Sequence, residues 1–115
     1  KTYLIIITIM NNTIQIFENR EFGNIRTMRD EKGEALFCGK DVARALGYKN
    51  PEKALRVHIE DDDKAVNKMD TTYGIKPTTF INESGLYSLI RSSKLLNKNT
   101  LQEKLWKDTW TKMMG

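Results

Sequence analysis

The sequence predicts an α+β domain: a small antiparallel sheet of short strands packed with about four helices, two of them paired in a helix-turn-helix-like manner. Three observations lead there. β-Branched and aromatic segments separated by polar turns fill the chain up to Cys38. From Lys40 onward, apolar residues recur at helical spacing behind recognisable caps. The 115 residues, 39% hydrophobic and 30% charged, suit one domain that closes its own core without disulfides or metals.

The elements follow in order. Tyr3 to Met10 is the one long apolar run, eight residues against the ~20 that a membrane-spanning helix needs. Met10 offers a natural start, which makes residues 1–9 an extension; if ordered, that run forms an edge strand or pairs with another chain. Ile14 to Phe17 and Ile25 to Met28 read as strands, Asp30 to Gly33 as a turn, and Glu34 to Cys38 as a third strand. Lys40 to Leu46 places Val42, Ala45 and Leu46 at helical spacing, with Gly47 at the C-cap. Asn50-Pro51 starts a second helix carrying Ala54, Leu55, Val57 and Ile59. Thr78 to Ile81 is a returning strand. Asn82-Glu83-Ser84 caps a third helix with Leu86, Leu89 and Ile90 inside. Thr100-Leu-Gln-Glu103 matches a capping box that opens a fourth helix, whose Leu105, Trp106, Trp110 and Met113 form an apolar stripe.

The formal charge of +4 is unevenly spread. Lys40 to His58 holds five cations against two acids, Arg91 to Lys112 six against two, while Glu18 to Glu34 is slightly acidic. Gathered positive charge points to a polyanionic partner. Within the first basic stretch, Val42, Ala43, Leu46 and Gly47 supply the first half of a helix-turn-helix. With a turn about one residue longer than usual, Ala54 and Val57 point inward and Lys49, Asn50, Lys53 and Arg56 outward. Lys and Arg neutralise phosphates, Arg grips a guanine edge, and Asn does the same for adenine. The same pattern also fits two short amphipathic helices packed on a sheet behind a solvated basic face.

Other chemistry is poorly served. His58 is the sole histidine, with no cysteine cluster beside it, and suits helix-end packing or a phosphate contact. Glu60 to Asp63 lacks the alternation and glycine of a calcium loop and reads as a solvated loop. Cys38, the single cysteine, reads as a small buried hydrophobe in a reducing compartment. No nucleophile motif, phosphate-cradling glycine loop or paired-carboxylate arrangement stands out, so no enzyme, metal or cofactor is expected.

From Phe37-Cys-Gly-Lys-Asp-Val-Ala-Arg-Ala-Leu-Gly-Tyr48, through Asn50-Pro51 and His58 with its acidic loop and Lys64, to Ile81-Asn-Glu-Ser-Gly-Leu-Tyr-Ser-Leu-Ile90 and Ser92-Ser-Lys94, the chain resembles the amino-terminal domain of the Bro family (baculovirus repeated open reading frame). Ile14 to Phe17 and Phe22 to Arg26 resemble the family's opening. The resemblance implies a nucleic-acid-binding α+β domain found in prophage antirepressors and large DNA viruses. It is usually joined to a variable carboxy-terminal domain, so residues 10–115 are expected to be the amino-terminal part of a longer cytoplasmic regulator of lysogeny. It places nucleic-acid contacts on Lys40, Arg44, Lys49, Asn50, Lys53, Arg56 and His58. Two departures accompany it: Leu96 to Trp110 replaces the family's proline-containing segment and basic helix, and the run before Met10 has no counterpart.

The expected partner is double-stranded DNA, with no membrane. The alternative is an antirepressor that sequesters a phage repressor without touching DNA, docking through the Leu/Trp stripe. That stripe or the amino-terminal strand would also serve a homodimer.

Overall fold

Strand order follows from a three-stranded meander and a hairpin laid side by side. The structure, a computed structural model, describes residues 14–71 and 74–114. Among these, β1 (Gln15–Phe17), β2 (Ile25–Arg29), β3 (Ala35–Cys38), β4 (Lys64–Thr71) and β5 (Gly74–Ile81) form one antiparallel sheet in the order β1-β2-β3-β5-β4. The apolar run before Met10, with its proposed extra strand, lies outside the described residues. Four α-helices among the described residues pack with the sheet: α1 (Gly39–Ala45), α2 (Pro51–His58), α3 (Glu83–Ser92) and α4 (Lys98–Met114). The expected α+β class and the meander of short strands are therefore present.

Strand periodicity divides the sheet into two faces, because successive side chains alternate. The register Phe17↔Ile25, Thr27↔Phe37 and Phe37↔Ile81 puts these residues on the helix side. There Phe17, Ile25, Phe37 and Ile81 pack with Val42 and Ala43 of α1, Ala54 and Leu55 of α2, Leu86, Leu89 and Ile90 of α3, and Leu101 and Leu105 of α4. Met28, Leu36, Cys38 and Phe80 point the other way and form a second, smaller cluster against Ile14. Cys38 is fully buried, as expected for a thiol acting as a small hydrophobe, and burial pushes its pKa up.

Two parts differ from the sequence expectation. β4 was not foreseen: Lys64-Ala-Val-Asn-Lys-Met-Asp-Thr71 mixes poor strand formers with good ones and lacks a clean apolar alternation. It is a strand because β5 pairs with it along its whole length, Lys64↔Ile81 to Thr71↔Gly74. α4 begins at Lys98, so Thr100 lies within its first turn and is not the cap of a capping box. The loop ahead of it is held by Asn97, whose Nδ2 donates to Glu21 Oε2 at 2.8 Å. Leu105 is buried beside Leu101 in the main core while Trp106 is partly exposed, so the expected stripe is not one surface. The side chains of Trp110 and Met113 lie outside the described residues.

The acidic run is a short 3₁₀ turn, Asp61–Asp63, fastened to the start of α3. Asn82 caps that helix by accepting the Gly85 N–H at 2.9 Å, and its Nδ2 donates to Asp63 Oδ1 at 3.1 Å. The Asn82 N–H also donates to the Asp63 carbonyl at 3.1 Å. Asp63 is thus committed to structure.

Candidate nucleic-acid interface

α1 ends where glycine lets the chain reverse. Gly47 adopts φ +83°, a left-handed value that favours glycine. Its N–H donates to the Arg44 carbonyl at 3.1 Å, and the Tyr48 N–H reaches back to the Ala43 carbonyl at 3.0 Å. These two bonds form a Schellman motif, which satisfies the last helix carbonyls and turns the backbone. α3 then holds the turn from two sides. The Tyr48 hydroxyl donates to the Leu89 carbonyl at 2.7 Å, and burial pushes its pKa up. The buried Ser93 hydroxyl donates to the Leu46 carbonyl at 2.8 Å.

α2 starts as the sequence announces, with Asn50 Oδ1 accepting the Lys53 N–H at 3.1 Å and Pro51 at the first helical position. Pro51, Ala54, Leu55, His58 and Ile59 lie toward the core, the i, i+3, i+4, i+7, i+8 set of one helix face. Glu52, Lys53, Arg56 and Val57 face outward. The expectation that Val57 points inward is therefore corrected: it is 60% exposed. At about 100° per residue, Val57 stands ~200° around the helix from Leu55, and Leu55 is the residue that fills the core. Leu55 is pinned by a close approach: a Cβ on Gly39 would come within 2.7 Å of its Cδ2 and 3.3 Å of the Thr79 carbonyl.

A buried ion pair fixes α1 to the sheet. Asp41 is 5% exposed and receives Arg26 Nε at 2.8 Å, Arg26 Nη2 at 3.1 Å and the Arg26 backbone N–H at 3.0 Å. Burial alone would raise the Asp41 pKa, yet the bonds from Arg26 outweigh it and hold the carboxyl below its ordinary value. The same carboxylate raises the Arg26 pKa. Arg26 also donates to Cys38 Sγ at 3.2 Å. One hint of this pair is legible in the sequence: Asp41 is an acid inside a basic stretch, next to residues with core periodicity.

The seven expected contact residues fall into distinct groups. Lys40 Nζ lies 2.8 Å from Glu52 Oε1, which braces α1 against α2 and lowers the Glu52 pKa. Arg44 Nη1 lies 3.4 Å from Asp41 Oδ1. Asn50 uses its carbonyl oxygen as the cap of α2. His58 is half-buried, its ring 5.6 Å from that of Tyr48 and tilted by 43°. Lys49, Lys53 and Arg56 are exposed; Lys49 and Lys53 have no side-chain partner among the described residues, and Arg56 makes no ion pair there but adds to the positive field that lowers the Glu52 pKa. The turn and the outer side of α2 therefore carry three outward cations, two of them without any carboxylate partner among the described residues, around an exposed valine.

The BRO family, N-terminal domain, matches residues 24–108, a span that includes both helices, the hairpin and α3. The chain belongs to that family. This Bro-N domain is 40% identical over 87 residues to an uncharacterized Haemophilus influenzae protein, covering 74% of the chain and 43% of the relative. It is 34% identical over 98 residues to an uncharacterized Bro-N domain-containing protein of Acanthamoeba polyphaga mimivirus, covering 74% and 39%. With an uncharacterized Bro-N domain-containing protein of Autographa californica nuclear polyhedrosis virus it shares 31% identity over 96 residues, covering 70% and 29%. The chain thus spans less than half the length of these relatives. No solved structure matches it. Among the described residues, no helix is long and apolar enough to cross a membrane.

Proposed function

We propose that this Bro-N domain binds double-stranded DNA through the α1–α2 pair, as the DNA-binding part of a viral or prophage regulator of the antirepressor type. One observation carries the reading. Lys49 in the turn and Lys53 on the outer side of α2 have no carboxylate partner among the described residues, Arg56 faces outward with only a longer-range attraction to Glu52, and the inner side of this capped helix is locked to the core. Cations without carboxylate partners keep their full attraction for phosphates, and a helix braced at both ends can enter a major groove without reordering. Arg56 can reach a guanine edge, and Val57 beside it offers a methyl surface of the kind that reads thymine. Lys40 and Arg44, already paired with Glu52 and Asp41, contribute less to the contact than the sequence alone suggests. Docking of a repressor through the Leu/Trp stripe is less well supported, because Leu105 belongs to the core.

The experiment is binding to a labelled mixed-sequence duplex across a salt series, with Lys53→Ala/Arg56→Ala alongside. Two phosphate contacts, from Lys49 and Lys53, predict affinity falling by about 12-fold between about 50 and 200 mM salt, from a slope of ~0.9 per phosphate. The double variant is expected to lose most binding. Salt-independent binding, or none at low salt, overturns the reading.

A further inference from the structure

A groove runs between the α1–α2 turn and the end of α3. Leu46 and Leu95 line its interior, and Lys49, His58, Ser92 and Lys94 stand around it. These residues come from four separate places in the chain: the turn, the last residue of α2, the end of α3 and the segment after it. What brings them together is the bond from the Ser93 hydroxyl to the Leu46 carbonyl, reinforced by the Leu95 N–H donating to Ser93 Oγ at 3.1 Å. Ser93 faces inward in that arrangement, and its neighbours Ser92 and Lys94 are exposed.

The cations need a reason to be there. Three helices end at this groove, and helix carboxyl ends carry partial negative charge that a cation can neutralise. For α3 that role is filled by another residue: Lys98 Nζ donates to the Arg91 carbonyl at 3.2 Å and the Ser93 carbonyl at 3.0 Å. Lys94 and Lys49 have no partner among the described residues, and no described carboxylate lines the groove. The groove therefore keeps net positive charge, and the Ser92 hydroxyl at its edge, which meets the Tyr48 hydroxyl in this arrangement, can turn to an anion held by the lysines.

We infer that this groove is an anion site that holds a backbone phosphate of the bound duplex, contacted by Lys94, Ser92 and Lys49. This inference rests on the DNA-binding reading and extends the contact surface from the helix pair to α3. The Ser92–Lys94 segment grips the strand flanking the major groove that α2 enters. Such a contact fixes the orientation of α2 on the duplex and carries no base information.

The test compares Lys94→Ala, Lys94→Arg and, as a control, Lys32→Ala in the β2–β3 turn, at the opposite end of β3 from α1. Each is titrated against several unrelated labelled duplexes over a salt series, with thermal melts to verify folding. Lys94→Ala is expected to weaken every duplex by the same several-fold factor and to reduce the salt slope by ~1. Lys94→Arg restores both, and Lys32→Ala changes neither. If Lys94→Ala behaves like Lys32→Ala while Lys53→Ala/Arg56→Ala abolishes binding, the phosphate site is overturned and the helix-pair reading stands. If Lys94→Ala alters the preference among duplexes, a backbone contact is likewise excluded. If the unaltered chain shows no salt-sensitive binding at all, both fall together. A direct readout separates the site from the rest of the surface. Inorganic phosphate titrated into isotope-labelled protein is expected to shift the Ser92 and Lys94 amide signals in the unaltered chain and not in Lys94→Ala.

Discussion

The α1–α2 corner and the β4–β5 hairpin are anchored in opposite ways. The corner is a few short segments fixed by many bonds: a Schellman turn, a capping asparagine, a buried ion pair, two hydroxyl bonds to backbone carbonyls and the Lys40–Glu52 brace. The hairpin is long and meets the rest of the sheet only at its root. β3 pairs with Phe80 and Ile81 alone, while the β4–β5 ladder continues outward to Thr71↔Gly74. Beyond the root, Ile75 is 69% and Val66 65% exposed, and Pro77 lies where β5 no longer has β3 beside it. A proline there removes one free N–H from an open edge, a usual way of discouraging further strand pairing. Cross-bracing bonds are thus concentrated in the corner, and the outer hairpin relies on its own ladder.

The largest expected effects lie in the corner. Leu55→Ala removes the side chain wedged over Gly39 and is expected to cost about 3 kcal/mol by urea unfolding, within the range for buried leucines. A loss below about 1 kcal/mol would mean that Leu55 is not the residue closing this joint.

Asp41→Asn comes next, with an expected loss of about 2 kcal/mol, because Arg26 would be left without its counter-charge. Its pH signature is specific. The folded pKa of Asp41 lies below the ordinary carboxylate value of about 3.9, so its contribution is complete above that value and fades as pH falls toward the lower folded pKa. The difference in stability between the unaltered chain and Asp41→Asn should therefore be flat from neutral pH down to about 4 and shrink below it. A difference that grew on acidification would contradict the depressed pKa.

Asn50→Ala should cost about 1 kcal/mol as a lost cap, with Asn50→Asp retaining most of the stability. Smallest of all are Val57→Ala and Ile75→Ser, each expected within about 0.5 kcal/mol as exposed positions. A large loss at Val57 would turn α2 back to the orientation that the sequence pattern suggested. Hydrogen exchange sharpens the contrast further. Amides of the outer hairpin are expected to exchange through local opening well before those of α1 and α3.

Local signals made the corner readable in advance. Gly47, Asn50-Pro51 and Asn82 each act through bonds to residues within a few positions, so their meaning survives in a linear string. The hairpin was half legible, because β4 depends on β5 across the sheet and its own residues state no preference. The rotation of α2 was misread at Val57 because Leu55 and Val57 are both apolar, and only the space above Gly39 decides between them. At the site, the basic character of the stretch was visible. Which cations stay uncommitted was not, since the Lys40–Glu52 and Arg44–Asp41 pairs depend on distances in the folded molecule. Lys94 was not among the expected contact residues because nothing in its neighbourhood of sequence points toward Lys49; only the fold places both on one groove.

The bond between Ser93 and the Leu46 carbonyl also has a bearing on the order of synthesis. It spans 47 positions, so the helix pair emerges from the ribosome well ahead of the residue that secures its turn. During that interval the helix pair exists as a nascent chain without its fastening. A polypeptide halted before Ser93 would carry the positive charges of α2 but lack the clasp that sets their direction. The complete surface would then be a late product of translation, available only after α3 has been made.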